Sequence, residues 1–269
     1  MSDPALLARV DAYLDVVQRD SADVEQVGPF TLFVSRAPYP LYARPRHGGT
    51  DDVTAADLPV LAARCGEVGM PLAVEWVEEV TPSVAGVVHA AGLAVERYPL
   101  LVLTAEAFRR PPAADVRLEV SSTAAELGRA RAVANVAFGH GGTAIGTAGV
   151  AERDEAAAGN DPDRLQWFVD DASSGRTITV TGAVEPDGVV ASGTVKPVDG
   201  AAEIMGVATL PAFRRRGLAL AVTAALVEAA FERDVELVLL SADSDDVARV
   251  YERLGFVRVG HTGQAEAAG

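Results

Sequence analysis

Cysteine, lysine and long apolar runs are all scarce in this chain of 269 residues. Cys65 is its only cysteine, so an intramolecular disulfide is impossible and a zinc site built from several thiolates is excluded. No apolar run reaches the eighteen or so residues of a membrane span, and the start Met-Ser-Asp-Pro lacks the basic-then-apolar pattern of a signal peptide. These absences predict a cytoplasmic protein that makes no contact with a membrane.

Positive charge is also scarce. The formal net charge is −15, and Lys196 is the only lysine. An acidic surface repels phosphate backbones, so nucleic acid is not expected as a partner. The acidity either favours a cationic small molecule in the long-range field or only maintains solubility. Against this background the consecutive arginines 214–216 indicate a local anionic ligand.

The chain reads as two halves that meet at a proline-containing break near residues 107–115. We predict domains at residues 1–110 and 116–269, and the 49% of apolar residues in the chain is enough for a proper core. Hydrophobic spacing predicts helices at residues 4–19, 55–68, 83–91, 123–138, 149–158, 218–231 and 245–254. Alternation and turn signals predict strands at residues 30–35, 42–44, 71–77, 100–103, 116–120, 177–184, 189–195, 203–209, 235–240 and 256–259. The sum is an α+β protein with a mixed sheet.

One pattern occurs in both halves. A strand, a helix, a Gly-Leu or Gly-Phe pair and a second strand follow one another over residues 71–103 and again over residues 235–259. This repeated pattern indicates a diverged internal duplication, although strand–helix–strand units are common in unrelated proteins.

The most informative segment joins a strand to a helix. The apolar run 204–209 is followed by Pro211, the arginines 214–216, Gly217 and a long apolar helix. The first turn of a helix has unpaired N–H groups and partial positive charge, which together bind anions. Glycine lets a phosphate approach the backbone, and arginine adds forked donors.

These motifs resemble the GNAT superfamily of N-acetyltransferases. The acetyl-CoA loop of that family, Arg/Gln-x-x-Gly-x-Gly/Ala, is matched by the run from Arg214 to Ala219. A later family signature is matched by Tyr251, which stands four residues before Gly255 and Phe256. The asparagine and alanine of that signature are replaced here by Ser244 and Val247. The resemblance covers residues 116–262.

The resemblance implies a GNAT fold, a mixed and mostly antiparallel sheet flanked by helices. A second, smaller α/β domain at the N-terminus would be a degenerate copy or an accessory domain, since it lacks the loop motif. Acetyl-CoA is implied as co-substrate, with no metal. Loop and helix amides would hold its pyrophosphate, and the N–H of Val207 or Ala208 would polarise the thioester carbonyl. The implied cofactor-binding residues are Val207, Ala208, Thr209, Arg214, Arg215, Arg216, Gly217, Leu218, Ala219 and Ser244.

Two residues are candidates for proton transfer. Glu203 lies eleven residues before Arg214, where family members that acetylate histones have their catalytic glutamate, and it is our candidate general base. Its alternative is a strand-end glutamate that faces solvent or pairs with an arginine. Tyr251 is implied as the acid near the sulfur of CoA, and its alternative is a buried aromatic residue; the two are compatible.

We therefore expect an acyltransferase that moves an acetyl or short acyl group to a primary amine by direct attack in a ternary complex. The acceptor would be a small molecule or a peptide, and the protein a monomer or homodimer. The alternatives are a CoA-binding pseudoenzyme that acts as a sensor or regulatory module, and an enzyme whose acceptor is an alcohol or thiol. Three further residues are candidates for contact with the acceptor. For His140 the alternative is a side chain that is only exposed, and for Trp167 and Phe168 it is a place in the core.

Overall fold

The computed structural model describes residues 3–49 and 52–267. The helices of the described chain are α1 Pro4–Arg19, α2 Asp57–Glu67, α3 Ser83–Ala90, α4 Ala124–Phe138, α5 Val150–Ala158, α6 Pro162–Ser173, α7 Leu218–Phe231 and α8 Asp245–Glu252. Its strands are β1 Ala22–Val27, β2 Phe30–Ser35, β3 Arg44–Pro45, β4 Ala73–Val77, β5 Ala94–Thr104, β6 Arg117–Ser121, β7 Ile178–Val184, β8 Gly188–Val198, β9 Ala201–Thr209, β10 Leu237–Ser241 and β11 Val257–Glu266. Within these ranges no helix has the length and apolar character needed to cross a bilayer.

The chain divides into two compact units that are not continuous in sequence. Unit 1 comprises Met1–Leu101, Ser241–Asp243 and Arg258–Gly269, and unit 2 comprises Val102–Leu240 and Ser244–Val257. The sequence instead predicted consecutive domains at 1–110 and 116–269. The physical reason for the difference is strand pairing, because β11, from the end of the chain, lies between β4 and β5.

Unit 1 contains a three-stranded sheet, β1-β2-β3, and the run β4-β11-β5. β11 pairs antiparallel with β4, so that Gly263 lies opposite Trp76. The indole ring of Trp76 occupies the space where a Cβ at Gly263 would stand, which explains the glycine. A core that includes Phe30, Leu61 and Trp76 forms on these elements.

Unit 2 contains the strand order β10-β9-β8-β7-β6. The pairs β6–β7, β7–β8 and β8–β9 are antiparallel, and β9–β10 is parallel. Helix α7 packs on β7, β8 and β9, and α4 packs on β8 and β9. Gly193 of β8 makes room for α7, because a Cβ there would lie 2.9 Å from Cδ1 of Leu226.

Most predicted elements are present, and three have the predicted bounds: α1, β2 and α7. Two were missed. Strand β1 has charged residues among its apolar ones, which hides its alternation, and α6 follows a glycine-rich stretch that is typical of a loop. The predicted strand at 100–103 begins earlier, at Ala94, and runs through Pro99, whose carbonyl accepts a hydrogen bond from the N–H of Ala242 (2.9 Å).

Candidate functional site

The candidate site is built around a fork between two parallel strands. β9 pairs with β10 at three positions, and the last of them joins Glu203 to Leu239. Beyond this pair β9 continues for six residues to Thr209 and is paired with β8 alone. Six strand residues span ~20 Å, so the backbone edge of β9 that faces away from β8 is open over that length. An extended ligand with amide groups fits such an edge, because it can pair with the strand.

A bulge re-aims the backbone of β9 inside this open stretch. Opposite β8, the register passes from Met205–Thr194 to Ala208–Ser192, so Gly206 and Val207 together face a single residue, Gly193. Gly206 has a φ of +63°, which favours glycine. A bulge leaves one residue outside the ladder, which frees backbone N–H groups of the kind that polarise a carbonyl. Our reading of the sequence missed Gly206, although an isolated glycine within a strand is a signal for a bulge.

The loop after β9 ends at a helix start that no side chain caps. Pro211–Phe213 form a 3₁₀ turn, and Gly217 is the N-cap of α7 with a φ of +80°. Arg215 also has a positive φ (+67°), so left-handed residues stand at two of the loop's positions. The first turn of α7 contains no acidic residue. Its unpaired N–H groups and dipole therefore form a candidate anion site, with the exposed Arg215 and Arg216 beside it.

Arg214 has a different environment from its two neighbours. Its Nε donates to the carbonyl of Thr209 (3.4 Å), and Nη1 donates to that of Ala144 (3.1 Å). Nη2 donates to the carbonyls of Ala137 (3.0 Å) and His140 (2.6 Å). Burial lowers the pKa of this guanidinium. Four of its donors therefore face backbone carbonyls of the protein, whereas Arg215 and Arg216 are exposed.

Glu203 stands at the point where the two strands part. Its neighbour across β8 is the buried Lys196, on the same face of the sheet. An opposite-charge pair at directly facing positions stabilises a sheet. The strand register therefore places a lysine, rather than the arginine considered from the sequence, directly opposite this carboxylate.

Tyr251 lies on α8 and is 8% exposed. Its ring packs edge to face against Phe256, with the centroids 6.1 Å apart. Burial raises the pKa of Tyr251 to about 12, so its hydroxyl is protonated throughout the physiological range. The structure thus gives Tyr251 a packing role and leaves it a hydroxyl that can donate.

Two hydroxyl groups complete the surroundings. Ser244 is the N-cap of α8, and its Oγ accepts a hydrogen bond from the N–H of Val247 (3.4 Å). This explains why serine stands there, because serine is a preferred capping residue. Oγ1 of Thr209, at the end of β9, is buried without a hydrogen-bond partner in the described part of the chain. A water molecule or a ligand at the end of β9 would supply the partner of such a hydroxyl.

The other candidates separate into different surroundings. Nδ1 of His140 lies 2.9 Å from the carbonyl of Val136, so the imidazole is tied to the end of α4. Trp167 and Phe168 of α6 pack edge to face (5.1 Å), and the guanidinium of Arg131 lies 3.9 Å from the centre of the Phe168 ring. These aromatic rings are half-buried and contact one another.

The acidic residues near Trp76 are engaged within unit 1. Glu75 pairs with Arg44, and Nδ1 of His261 lies 3.3 Å from Glu79. Glu78, Glu79 and His261 offer ligand atoms within 4.8 Å of one another. Arg97 pairs with Glu78, however, so a guanidinium already supplies the positive charge that a metal cation would bring to such a cluster.

Comparison with known proteins adds a family and a fold. The model of the "Acetyltransferase (GNAT) family" matches residues 105–256. The chain is similar to the structure of a GCN5-related N-acetyltransferase from Kribbella flavida, with a TM-score of 0.71 and 23% identity over 98% of this chain and 96% of that chain. It is also similar to a GCN5-related N-acetyltransferase from Sphaerobacter thermophilus (TM-score 0.52, 16% identity, 98% and 91% covered).

A third similar structure is a tandem GNAT protein from the clavulanic acid biosynthesis pathway. Its TM-score is 0.51 at 14% identity, with 89% of this chain and 78% of that chain covered. No curated protein matches the chain. At these identities the structural matches show the fold, and they confirm the predicted mixed sheet flanked by helices and the two-domain arrangement.

Proposed function

The chain belongs to the GNAT family of acetyltransferases, and we propose that it transfers an acetyl group, or another short acyl group, from acetyl-CoA to a primary amine. The family follows from the match over residues 105–256. The donor and the type of acceptor are our inference from the site. The acceptor would be a small molecule or a peptide that carries the amine.

The fork between β9 and β10 is the observation that carries this proposal. It places an open strand edge, a bulge at Gly206 and the uncapped start of α7 in one continuous stretch of chain. A thioester of coenzyme A has a diphosphate at one end, amide groups along an arm and a carbonyl at the other end. Each part meets the protein group that suits it: helix amides for the diphosphate, strand backbone for the arm and bulge N–H for the carbonyl.

The reaction needs a neutral amine, whereas an alkyl amine with a pKa near ~10 is protonated at neutral pH. We propose that Glu203 accepts this proton, directly or through a water molecule. The amine nitrogen then attacks the thioester carbonyl, an N–C bond forms and the negative charge moves to the oxygen. An N–H of Val207 or Ala208 stabilises that oxygen, a contact that typically supplies ~3 kcal/mol.

The carbonyl then re-forms, the C–S bond breaks, sulfur leaves with the electron pair, and the nitrogen gives its second proton to water, so that a neutral amide remains. With a pKa of about 12, Tyr251 cannot give its proton fully to a thiolate whose pKa is near ~8.5, because the transfer is uphill by roughly 5 kcal/mol. We therefore assign the Tyr251 hydroxyl as a hydrogen-bond donor to the departing sulfur, which takes its proton from water on release. This refines the role of general acid that the resemblance implied.

The two units divide the work in this proposal. Unit 1 has the strand–helix–strand order β4-α3-β5 but no Arg/Gln-x-x-Gly-x-Gly/Ala segment after a strand. We propose that unit 1 is a degenerate copy that does not bind the acyl donor. The formal net charge of −15 favours a cationic acceptor in the long-range field.

The proposal is tested by incubating the purified protein with acetyl-CoA and a panel of amines, alcohols and thiols while free thiol is measured. We expect CoA to bind in a calorimetric titration and thiol to be released with at least one amine. Release with alcohols or thiols only would change the acceptor class. Tight CoA binding with no turnover on any acceptor would instead support a CoA-binding sensor or regulatory module.

A further inference from the structure

The bonds of Arg214 join two segments that are far apart in sequence. Its donors reach the carbonyls of Ala137, His140 and Ala144 on one side and that of Thr209 on the other. These contacts use four of the five N–H donors of a guanidinium. All four acceptors are uncharged carbonyls, so the planar fork is matched to a set of fixed oxygens rather than to a carboxylate.

Backbone contacts reinforce the same junction. The N–H of Gly146 donates to the carbonyl of Pro211 (3.1 Å), and the N–H of Ala212 donates to that of Ala148 (3.0 Å). A Cβ on Gly146 would lie 2.9 Å from the Cβ of Pro211, closer than real Cβ contacts. Glycine at position 146 is therefore what allows the two backbones to approach.

The segment held in this way has little other regular structure. Residues 139–149 lie between α4 and α5 and form only turns and bends. Such a segment is ordered by the contacts that its backbone makes with the rest of the protein. Its partners, residues 209–214, are the chain that leads from the end of β9 into the anion site at α7.

We propose that Arg214 is a positioning residue that latches residues 137–148 to the loop at the start of α7, so that binding of a diphosphate and the order of this segment depend on each other. The latch is independent of the reaction, whereas its coupling to a diphosphate rests on the function proposed above. Coupling of this kind is reciprocal: if the ordered segment favours the ligand, the ligand favours the ordered segment to the same extent.

This role differs from that of an arginine that supplies charge to a phosphate. If Arg214 supplied only a positive charge, lysine could take its place. One ammonium group cannot, however, donate to four carbonyls that are arranged around a planar guanidinium. Arg214→Lys and Arg214→Met are therefore the informative pair. Arg216→Met is the matched control, since it removes the same charge from the same loop, and Arg216 contacts the Phe213 ring instead (5.5 Å).

The test is hydrogen–deuterium exchange of residues 139–149, measured without ligand and with coenzyme A. Without ligand we expect exchange to be faster, on the order of tenfold, in both Arg214→Met and Arg214→Lys, because charged donors to carbonyls are lost. Without ligand, residues 139–149 of Arg216→Met should exchange at the same rate as in the wild type. Coenzyme A should slow exchange of the segment in the wild type but not in either Arg214 variant.

Unchanged exchange in Arg214→Met, or full rescue by lysine, would overturn the latch. If Arg214→Met loses protection throughout unit 2, Gly146→Ala decides, because its added Cβ separates the same two segments without removing a charge; unchanged exchange of residues 139–149 in that variant also overturns the proposal. A wild type that does not bind coenzyme A would contradict the proposed function, while the comparison without ligand still tests the latch.

Discussion

Replacement of Gly217 by aspartate or by asparagine separates the charge of the anion site from its shape. Gly217 is the N-cap of α7 with a φ of +80°, a conformation that Asn and Asp tolerate better than other residues. A Cβ at this position would lie 3.8 Å from the Cβ of Ala114, which is ordinary contact. Both variants should therefore fold, and they differ only in the charge at the start of the helix.

The expected effect follows from Coulomb's law. A carboxylate at position 217 would stand ~5 Å from one charged phosphate held by the first turn of α7. With an effective dielectric constant near ~20, repulsion of one phosphate charge costs about 3 kcal/mol, or roughly two powers of ten in affinity. An asparagine at position 217 adds only the cost of the left-handed conformation. Coenzyme A should therefore bind the asparagine variant much more tightly than the aspartate variant.

The measurement is a calorimetric titration of coenzyme A into both variants, with thermal melts to show that each is folded. When salt rises from about 0.1 M to about 1 M, the screening length falls from about 10 Å to about 3 Å. The gap between the two variants should then narrow. Equal affinities at low salt would refute the placement of the diphosphate at the start of α7.

Three further variants test catalysis, stability at high pH and the strand order. Glu203→Gln should lower turnover by about 10²-fold or more while CoA affinity is kept, and unchanged turnover would return Glu203 to a pairing role with Lys196. Tyr251→Phe should lower turnover more than CoA affinity. Because burial raises the pKa of Tyr251 from 10.0 to about 12, the wild type should lose more stability between these pH values than the phenylalanine variant, melted over the same range, does, while the raised pKa values of Tyr42 and Tyr98 destabilise both proteins alike. Deletion of residues 258–269 removes β11 from between β4 and β5, so hydrogen exchange of residues 73–77 should rise strongly, and unchanged protection there would contradict the strand order.

Local signals were sufficient where the chain's own pattern decides the structure. The bounds of α7 follow from Gly217, whose φ only glycine adopts readily, and from the continuous apolar run behind it. For α6 a local signal was present but overlooked, since Asp161 caps the helix and Pro162 opens it. For β1, whose Val24 is exposed, the apolar pattern gave little warning.

The roles of the side chains in the site were harder to predict from the sequence than the elements that hold them. The sequence placed three consecutive arginines beside a helix start, and all three looked equally suited to phosphate. Their separation depends on the segment 137–148, which approaches the loop only after folding and whose carbonyls accept hydrogen bonds from the guanidinium of Arg214. The same holds for Glu203, because the lysine opposite it is fixed by the register of β8 and β9.

The sequence by itself determined the strand, loop and helix of the candidate anion site, because glycine, proline and the apolar period act over a few neighbouring residues. Tertiary structure alone decided that the last strand belongs beside β4 and β5, and that β9 and β10 part at Glu203. Strand pairing joins residues that are distant in the chain, and the free energy of that pairing comes from partners that no local pattern specifies.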